Sequence, residues 1–203
     1  MRFIRRDRLT RAIVLTVMVT NFLDAPLFAV ILPVYARQAF GQALDLGLMV
    51  AAFGGGALVG TLAFGAVGRT LPRRATFIGA FVDTGLPFWM LATLPSLPIT
   101  IAALCCSGLA SGPVNPIIFT VAYERIPPAL LGRVLGTVTA GAFVAIPLGI
   151  LAAGYLLEGL GVRATLLGLA ACYLAVTLSV LVNPAMADMG APPAVAPSSA
   201  RPA

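Results

Sequence analysis

Residues 46–79 read LGLMVAAFGGGALVGTLAFGAVGRTLPRRATFIG, and residues 135–168 read LGTVTAGAFVAIPLGILAAGYLLEGLGVRATLLG. Laid over each other at an offset of 89 residues, without a gap, they agree at 12 of 34 positions. Leu46-Gly47 falls on Leu135-Gly136 and Ala51 on Ala140. Gly60, Leu62, Ala63 and Gly65 fall on Gly149, Leu151, Ala152 and Gly154. Leu71 falls on Leu160, Arg74-Ala75-Thr76 on Arg163-Ala164-Thr165, and Gly79 on Gly168. Each copy is a long apolar run, a turn carrying arginine, and the start of a second apolar run. Duplicated glycine-rich helices without any transport role would leave the same trace.

Apolar runs long enough to cross the hydrocarbon as helices, about 20 residues each, lie at about 12–35, 44–67, 75–94, 98–122, 135–157 and 163–183. They are continuous and lack the period-two alternation of barrel strands, so the expected fold class is an all-α membrane protein with six transmembrane helices. The repeat then groups three spans with three. Three is odd, so the second unit enters the membrane from the opposite face. The result is an inverted 3+3 repeat, a recurring plan of secondary transporters. Three parts follow: a basic N-terminus over 1–11, the six-helix domain over 12–183, and a Pro/Ala-rich tail over 184–203. The tail lacks the apolar residues to bury a core and is expected to be disordered.

Composition agrees with a membrane as solvent. Hydrophobic residues make up 60% of the chain, charged residues 10%, and the mean hydropathy is +1.01; a soluble domain carries about 25% charged residues. The formal net charge is +6, all of its cations are arginine, and they stand between the apolar runs. That distribution serves topology and not nucleic acid. Eleven of the 13 arginines, among them Arg69, Arg73, Arg74, Arg125 and Arg133, fall on one side of the six spans, and Arg37 and Arg163 on the other. The positive-inside rule puts the first set, and both termini, in the cytoplasm. The first run follows Arg2, Arg5, Arg6, Arg8 and Arg11 but is too long for a signal peptide.

The chain has no histidine, which removes the usual general base and the commonest zinc ligand. Cys105, Cys106 and Cys172 fall inside expected helices and read as small packing residues. No cofactor or metal is expected.

Asp24, in NFLDAPLF at 21–28, sits about 12 residues into the first run, or roughly 18 Å deep at about 1.5 Å per residue. A carboxylate at that depth costs several kcal/mol, on the order of 2–4, unless paired, hydrated or protonated. It is either a proton-titrating or substrate-contacting acid facing a cavity, or a carboxyl group that hydrogen-bonds a neighbouring helix. Asn21 shares its face, and Pro26 bends the helix beside it. Asp83, in FVDTGLPFW at 81–89, is a second acid within a span. In SGLASGPVNPIIF at 107–119, Gly108, Ser111, Gly112, Pro113, Asn115 and Pro116 form a polar notch, where Asn115 either binds substrate or caps carbonyls freed by the prolines. Gly54, Gly55, Gly56 and Gly60, with Gly141, Gly149 and Gly154, read as close helix-packing positions. Tyr35, Trp89 and Tyr155 are expected near the outer ends of their spans as interfacial anchors.

Four stretches, NFLDAPLFAVILPVYAR, LGLMVAAFGGGALVGTLAFGAVGRTLPRR, SGLASGPVNPIIFTVAYERIPPALLGRVLG and PLGILAAGYLLEGLG, resemble the C-terminal half of a major facilitator superfamily transporter, in the bacterial drug- and siderophore-exporter branch. The segment from Gly60 to Arg74, with Gly65, Gly68, Arg69 and Arg73, resembles that family's loop motif. It departs where Phe64 stands in place of an acid, so the resemblance does not carry over a latch made by that acid. The resemblance implies alternating access, often proton-driven, without a cofactor, in the bacterial plasma membrane. It also implies that the six spans are one half of the fold. Asp24, Asn21 and Asn115 would line the central cavity, while Asp83 would be peripheral. The expected partners are the lipid bilayer, a small-molecule substrate and a second six-helix half, from a separate chain or a second copy. A non-transporting fragment or accessory half carries the same helix signals and stays open as a reading. A permease subunit of an ATP-driven importer would need a longer cytoplasmic coupling segment than YERIPPALLGR at 123–133.

Overall fold

The computed structural model describes residues 7–190, and these are helical almost throughout. Helix α1 (Arg8–Pro26) starts at Asp7, whose carboxylate accepts from the Leu9 and Thr10 amides at 3.0 and 3.4 Å. An acid suits that end, because the first turn of a helix has unsatisfied N–H groups and a positive dipole end. A π-helical turn (Leu27–Ile31) follows Pro26 directly and passes into α2 (Leu32–Ala39). Proline cannot supply the amide that would bond the Phe22 carbonyl, and the register slips by one residue just past it. Gly41, at φ 88°, closes this rod by donating to the Ala36 carbonyl at 3.0 Å, a helix end only glycine adopts readily.

Helix α3 (Ala43–Val67) and helix α4 (Arg73–Leu91) flank the loop motif. The apolar run read as 98–122 is broken into α5 (Leu97–Ser111) and α6 (Val114–Arg125) at Gly112 and Pro113. Helix α7 (Pro128–Val182) is 55 residues long and contains one non-helical residue, Gly161, at φ 76° and ψ 173°. That conformation is open to glycine alone, so the chain turns between an arm over 128–160 and an arm over 162–182.

Among the described residues, four helical stretches are long and apolar enough to cross a membrane: Arg8–Ala39, Ala43–Val67, Leu97–Arg125 and Pro128–Val182. Helix α4 falls short of the others. Arg73, Arg74, Asp83 and Pro87 dilute its apolar character within 19 residues.

The closest pairs are α3 with α5 and α1 with α7. Lipid tails are as apolar as leucine, so such contacts depend on close van der Waals fit and small residues. At Gly60, an added Cβ would strike the Leu109 carbonyl oxygen, which Pro113 leaves without its helical partner. At Gly149, it would strike the Phe22 carbonyl oxygen, which Pro26 leaves in the same condition. Gly56 abuts the Cys105 carbonyl, Gly108 the Phe53 carbonyl, Gly112 the backbone of Gly60 and Thr61, and Gly141 the Met18 side chain.

Gly54, Gly55 and Gly154 depart from the packing expectation: each faces open space. Gly56 and Gly60 are four apart and share a face, whereas Gly54 and Gly55 precede that face by less than a turn. Gly154 lies five past Gly149 and points elsewhere. The cysteines are exposed, not packed inward. Tyr35 is buried, with its hydroxyl donating to the Pro95 carbonyl at 3.4 Å, and so ties two chain segments instead of standing at a rim. Trp89 and Tyr155 are exposed.

The ordered chain runs further than expected. Pro184–Gly190 forms a 3-10 segment against α1 and α4, with Met186 and Met189 buried; two long flexible apolar side chains are enough to anchor a short coil. The rest of the tail, with Arg201, and Arg2, Arg5 and Arg6 lie outside the described residues.

Candidate functional site

Asn21, Asp24 and Asn115 line one cavity of about 480 Å³. Val17, Thr20, Asn21 and Asp24 come from α1, Phe53, Ala57 and Thr61 from α3, and Phe81 and Thr84 from α4. Ser111 and Asn115 flank the Gly112–Pro113 break, and Tyr173 reaches in from the second arm of α7. A neighbouring space of about 290 Å³ shares Asn21, Asp24, Phe53, Thr84 and Ser111 and adds Phe28 and Leu104. The cavity is aromatic on its walls and polar at a few points, and it contains one carboxyl group. None of the residues lining either space is basic.

Local sequence explains these positions. Asn21 and Asp24 are three apart on α1 and therefore share a face. The Asn21 amide donates to the Val17 carbonyl at 2.7 Å, which pins the side chain along its own helix. Asn115 stands just past the helix break, exposed to the cavity. Capping of a freed carbonyl falls to another residue: the Thr61 hydroxyl reaches across from α3 to the Gly112 carbonyl at 3.2 Å, the acceptor left open by Pro116. Asn115 makes no hydrogen bond among the described residues, so its amide is free for a ligand.

Asp83 does not reach this cavity. It lies one residue from Thr84 but turns away, and one of its carboxyl oxygens is buried without a hydrogen-bond partner. Tyr173 went unnoticed in the sequence because a tyrosine among apolar residues reads as packing. It is 1% exposed and stacks on Phe88 at 5.6 Å between ring centroids. Its ring fits only because Gly85 has no side chain.

The loop motif occupies the end of the molecule where α3 stops and α4 starts. The Arg73 guanidinium meets the Glu124 carboxylate of α6 in a two-pronged pair, at 2.6 and 2.9 Å. That partner holds the guanidinium above its ordinary pKa. Arg74 donates to the Leu181 carbonyl at the end of α7, at 3.4 Å, where a cation also suits the helix dipole. Gly60 packs on Leu109, Gly68 lies under the Phe64 carbonyl and ring, and Gly65 faces open space. Arg69 and Arg73 line a separate space of about 410 Å³ with Phe64, Gly65 and Gly68. Phe64 supplies no charge to a latch. Arg73 and Glu124 tie α4 to α6 instead.

A model of the Major Facilitator Superfamily matches residues 14–201. The chain belongs to the major facilitator superfamily. The multidrug efflux pump Tap of Mycobacterium tuberculosis (strain ATCC 25618 / H37Rv) is 33% identical over 193 residues, covering 95% of this chain and 46% of the pump. Tap of Mycolicibacterium fortuitum is 31% identical over 169 residues, 83% of this chain and 41% of the pump. A chloramphenicol resistance protein of Streptomyces lividans is 30% identical over 135 residues, 66% of this chain and 34% of that protein. The chain spans about half the length of the curated relatives it matches. No solved structure matches it. Membership of the major facilitator superfamily makes the chain a multi-pass membrane protein of a family of transporters, not of enzymes.

Proposed function

We propose that this chain is a six-helix half of a drug efflux transporter, moving small apolar compounds by alternating access with Asp24 as the proton-titrating acid. The observation that carries this reading is the cavity, in which one carboxyl group, Asn21 and Asn115 meet among aromatic walls with no basic residue beside them. A proton bound to Asp24 and a cationic guest beside its ionised form neutralise the same charge, which makes exchange of one for the other the simplest coupling. The efflux pumps among the relatives support the direction and the substrate class.

The six-span, inverted-repeat reading has its own support. Gly60 and Gly149, 89 residues apart in the aligned repeat, each sit on a carbonyl four residues before a proline, Leu109 before Pro113 and Phe22 before Pro26. Under a 3+3 scheme the contact between the second and fourth spans corresponds to that between the fifth and first. The two contacts are built from the same parts. Both termini are read as cytoplasmic, in a bacterial plasma membrane, from the arginine distribution. The partner is a second six-helix half that covers the open side of the cavity, because polar groups facing lipid are unfavourable.

Drug accumulation tests the reading in a bacterium stripped of its own pumps. Cells expressing the chain should hold several-fold less ethidium or chloramphenicol than vector controls. Asp24→Asn should return accumulation to the vector level with the membrane content of the protein unchanged. Equal accumulation in wild-type and vector cells, with the protein present in the membrane, would overturn it.

A further inference from the structure

Among the described residues, the hydroxyl groups that line the 480 Å³ cavity have committed their protons, with one exception. Thr20 donates to the Val17 carbonyl at 3.2 Å, Thr84 to Ala80 at 2.7 Å and Ser111 to Gly108 at 2.7 Å. Thr61 donates to Ala57 at 2.8 Å and to Gly112 at 3.2 Å. All of these are backbone carbonyls, so none of these hydroxyls is left to donate to a carboxylate. The Tyr173 hydroxyl is buried and completes no hydrogen bond, and the side chain lines the cavity together with Asp24 and Thr84. Its ring is fixed by the Gly85 notch and by stacking on Phe88.

An ionised carboxylate accepts and cannot donate. Thr84, its own proton spent on Ala80, can also only accept from Tyr173. One uncommitted proton therefore faces two acceptors. We infer that Tyr173 is the positioning residue of Asp24, its hydroxyl donating to the ionised carboxyl and turning to Thr84 when a proton or a cationic guest takes its place. The titratable groups lining the cavity are Asp24 and Tyr173 alone; Asp83, on α4, faces away from it. This role rests on the proposed part of Asp24 in transport, and it links the second arm of α7 to α1 across the cavity.

Infrared difference spectra recorded on acidifying the full chain in nanodiscs, with any half that co-purifies, decide the contact. The carboxyl band that disappears in Asp24→Asn reports Asp24. It should move in Tyr173→Phe, which keeps the ring and its stacking, and stay fixed in Tyr155→Phe, which removes an exposed tyrosine hydroxyl outside the cavity. A band unmoved by Tyr173→Phe overturns the inference, whether or not the chain transports. In proteoliposomes, proton-gradient-driven ethidium flux should fall about ten-fold in Tyr173→Phe, the scale of one hydrogen bond to a charged group. Flux in Tyr173→Phe equal to that of the wild type would also overturn it. Absence of flux in the wild type would sink the transport reading instead, leaving the infrared band to judge Tyr173.

Discussion

Asp24 and Asp83 are chemically the same residue in helices of the same chain, and their surroundings separate them. Asp24 faces a cavity shared with Asn21, Asn115 and Tyr173, while Asp83 has a buried oxygen and no partner. Asn115, free of internal hydrogen bonds, is expected to serve the guest. Asn115→Ala should raise the apparent KM for ethidium by several-fold, in line with the roughly 0.5–1.5 kcal/mol net worth of one hydrogen bond, with little change in maximal rate. Asp83→Asn should leave flux within about two-fold of wild type and raise thermal stability, because neutralising an unpartnered buried carboxyl removes a desolvation cost of a few kcal/mol, on the order of 1–3. Flux titrations and melting curves in detergent check both. Asp24, Asn21 and Asn115 were legible from sequence because polar groups deep in apolar runs stand out. Tyr173 was not, since its significance comes from a hydroxyl aimed across a 149-residue separation at Asp24.

At the scale of elements, the glycines divide by contact. Gly60→Ala and Gly149→Ala place a methyl group against a backbone carbonyl that cannot swing aside, and should each cost about 1–3 kcal/mol through overpacking. Gly54→Ala and Gly154→Ala meet open space and should be neutral or stabilising by up to about 1 kcal/mol through helix propensity. The four melting temperatures, measured side by side, test the contacts directly. Gly60 and Gly149 are matched positions of the sequence repeat, but so are Gly65 and Gly154, which face open space. Which glycines pack was not legible, because that depends on helix rotation, and a run such as Gly54-Gly55-Gly56 covers most of a turn. The π turn after Pro26 and the break at Gly112–Pro113 follow from proline chemistry, but their place beside the cavity follows only from the fold. The Arg73–Glu124 tie joins residues 51 apart, on α4 and α6. Both side chains are more than a third exposed, so a double-mutant cycle should give a coupling of about 0.2–1 kcal/mol that shrinks as salt rises.

For the whole molecule, the apolar exterior and the cavity make different demands. Exposed leucines such as Leu58, Leu62, Leu148 and Leu151 suit lipid, but an open polar cavity does not. Native mass spectrometry from nanodiscs is therefore expected to show the chain paired, either with itself or with a second six-helix chain, and a bare monomer would contradict that. The matched share of the two Tap pumps, 46% and 41%, fits the same picture. The most direct test of the central claim is proton-gradient-driven ethidium transport by the purified assembly in sealed proteoliposomes. Gradient-dependent flux in the wild type, reduced to the level of empty liposomes in Asp24→Asn with the protein still folded and inserted, is the expected result. Wild-type flux in Asp24→Asn would contradict it, because the cavity carboxyl would then have no part in coupling.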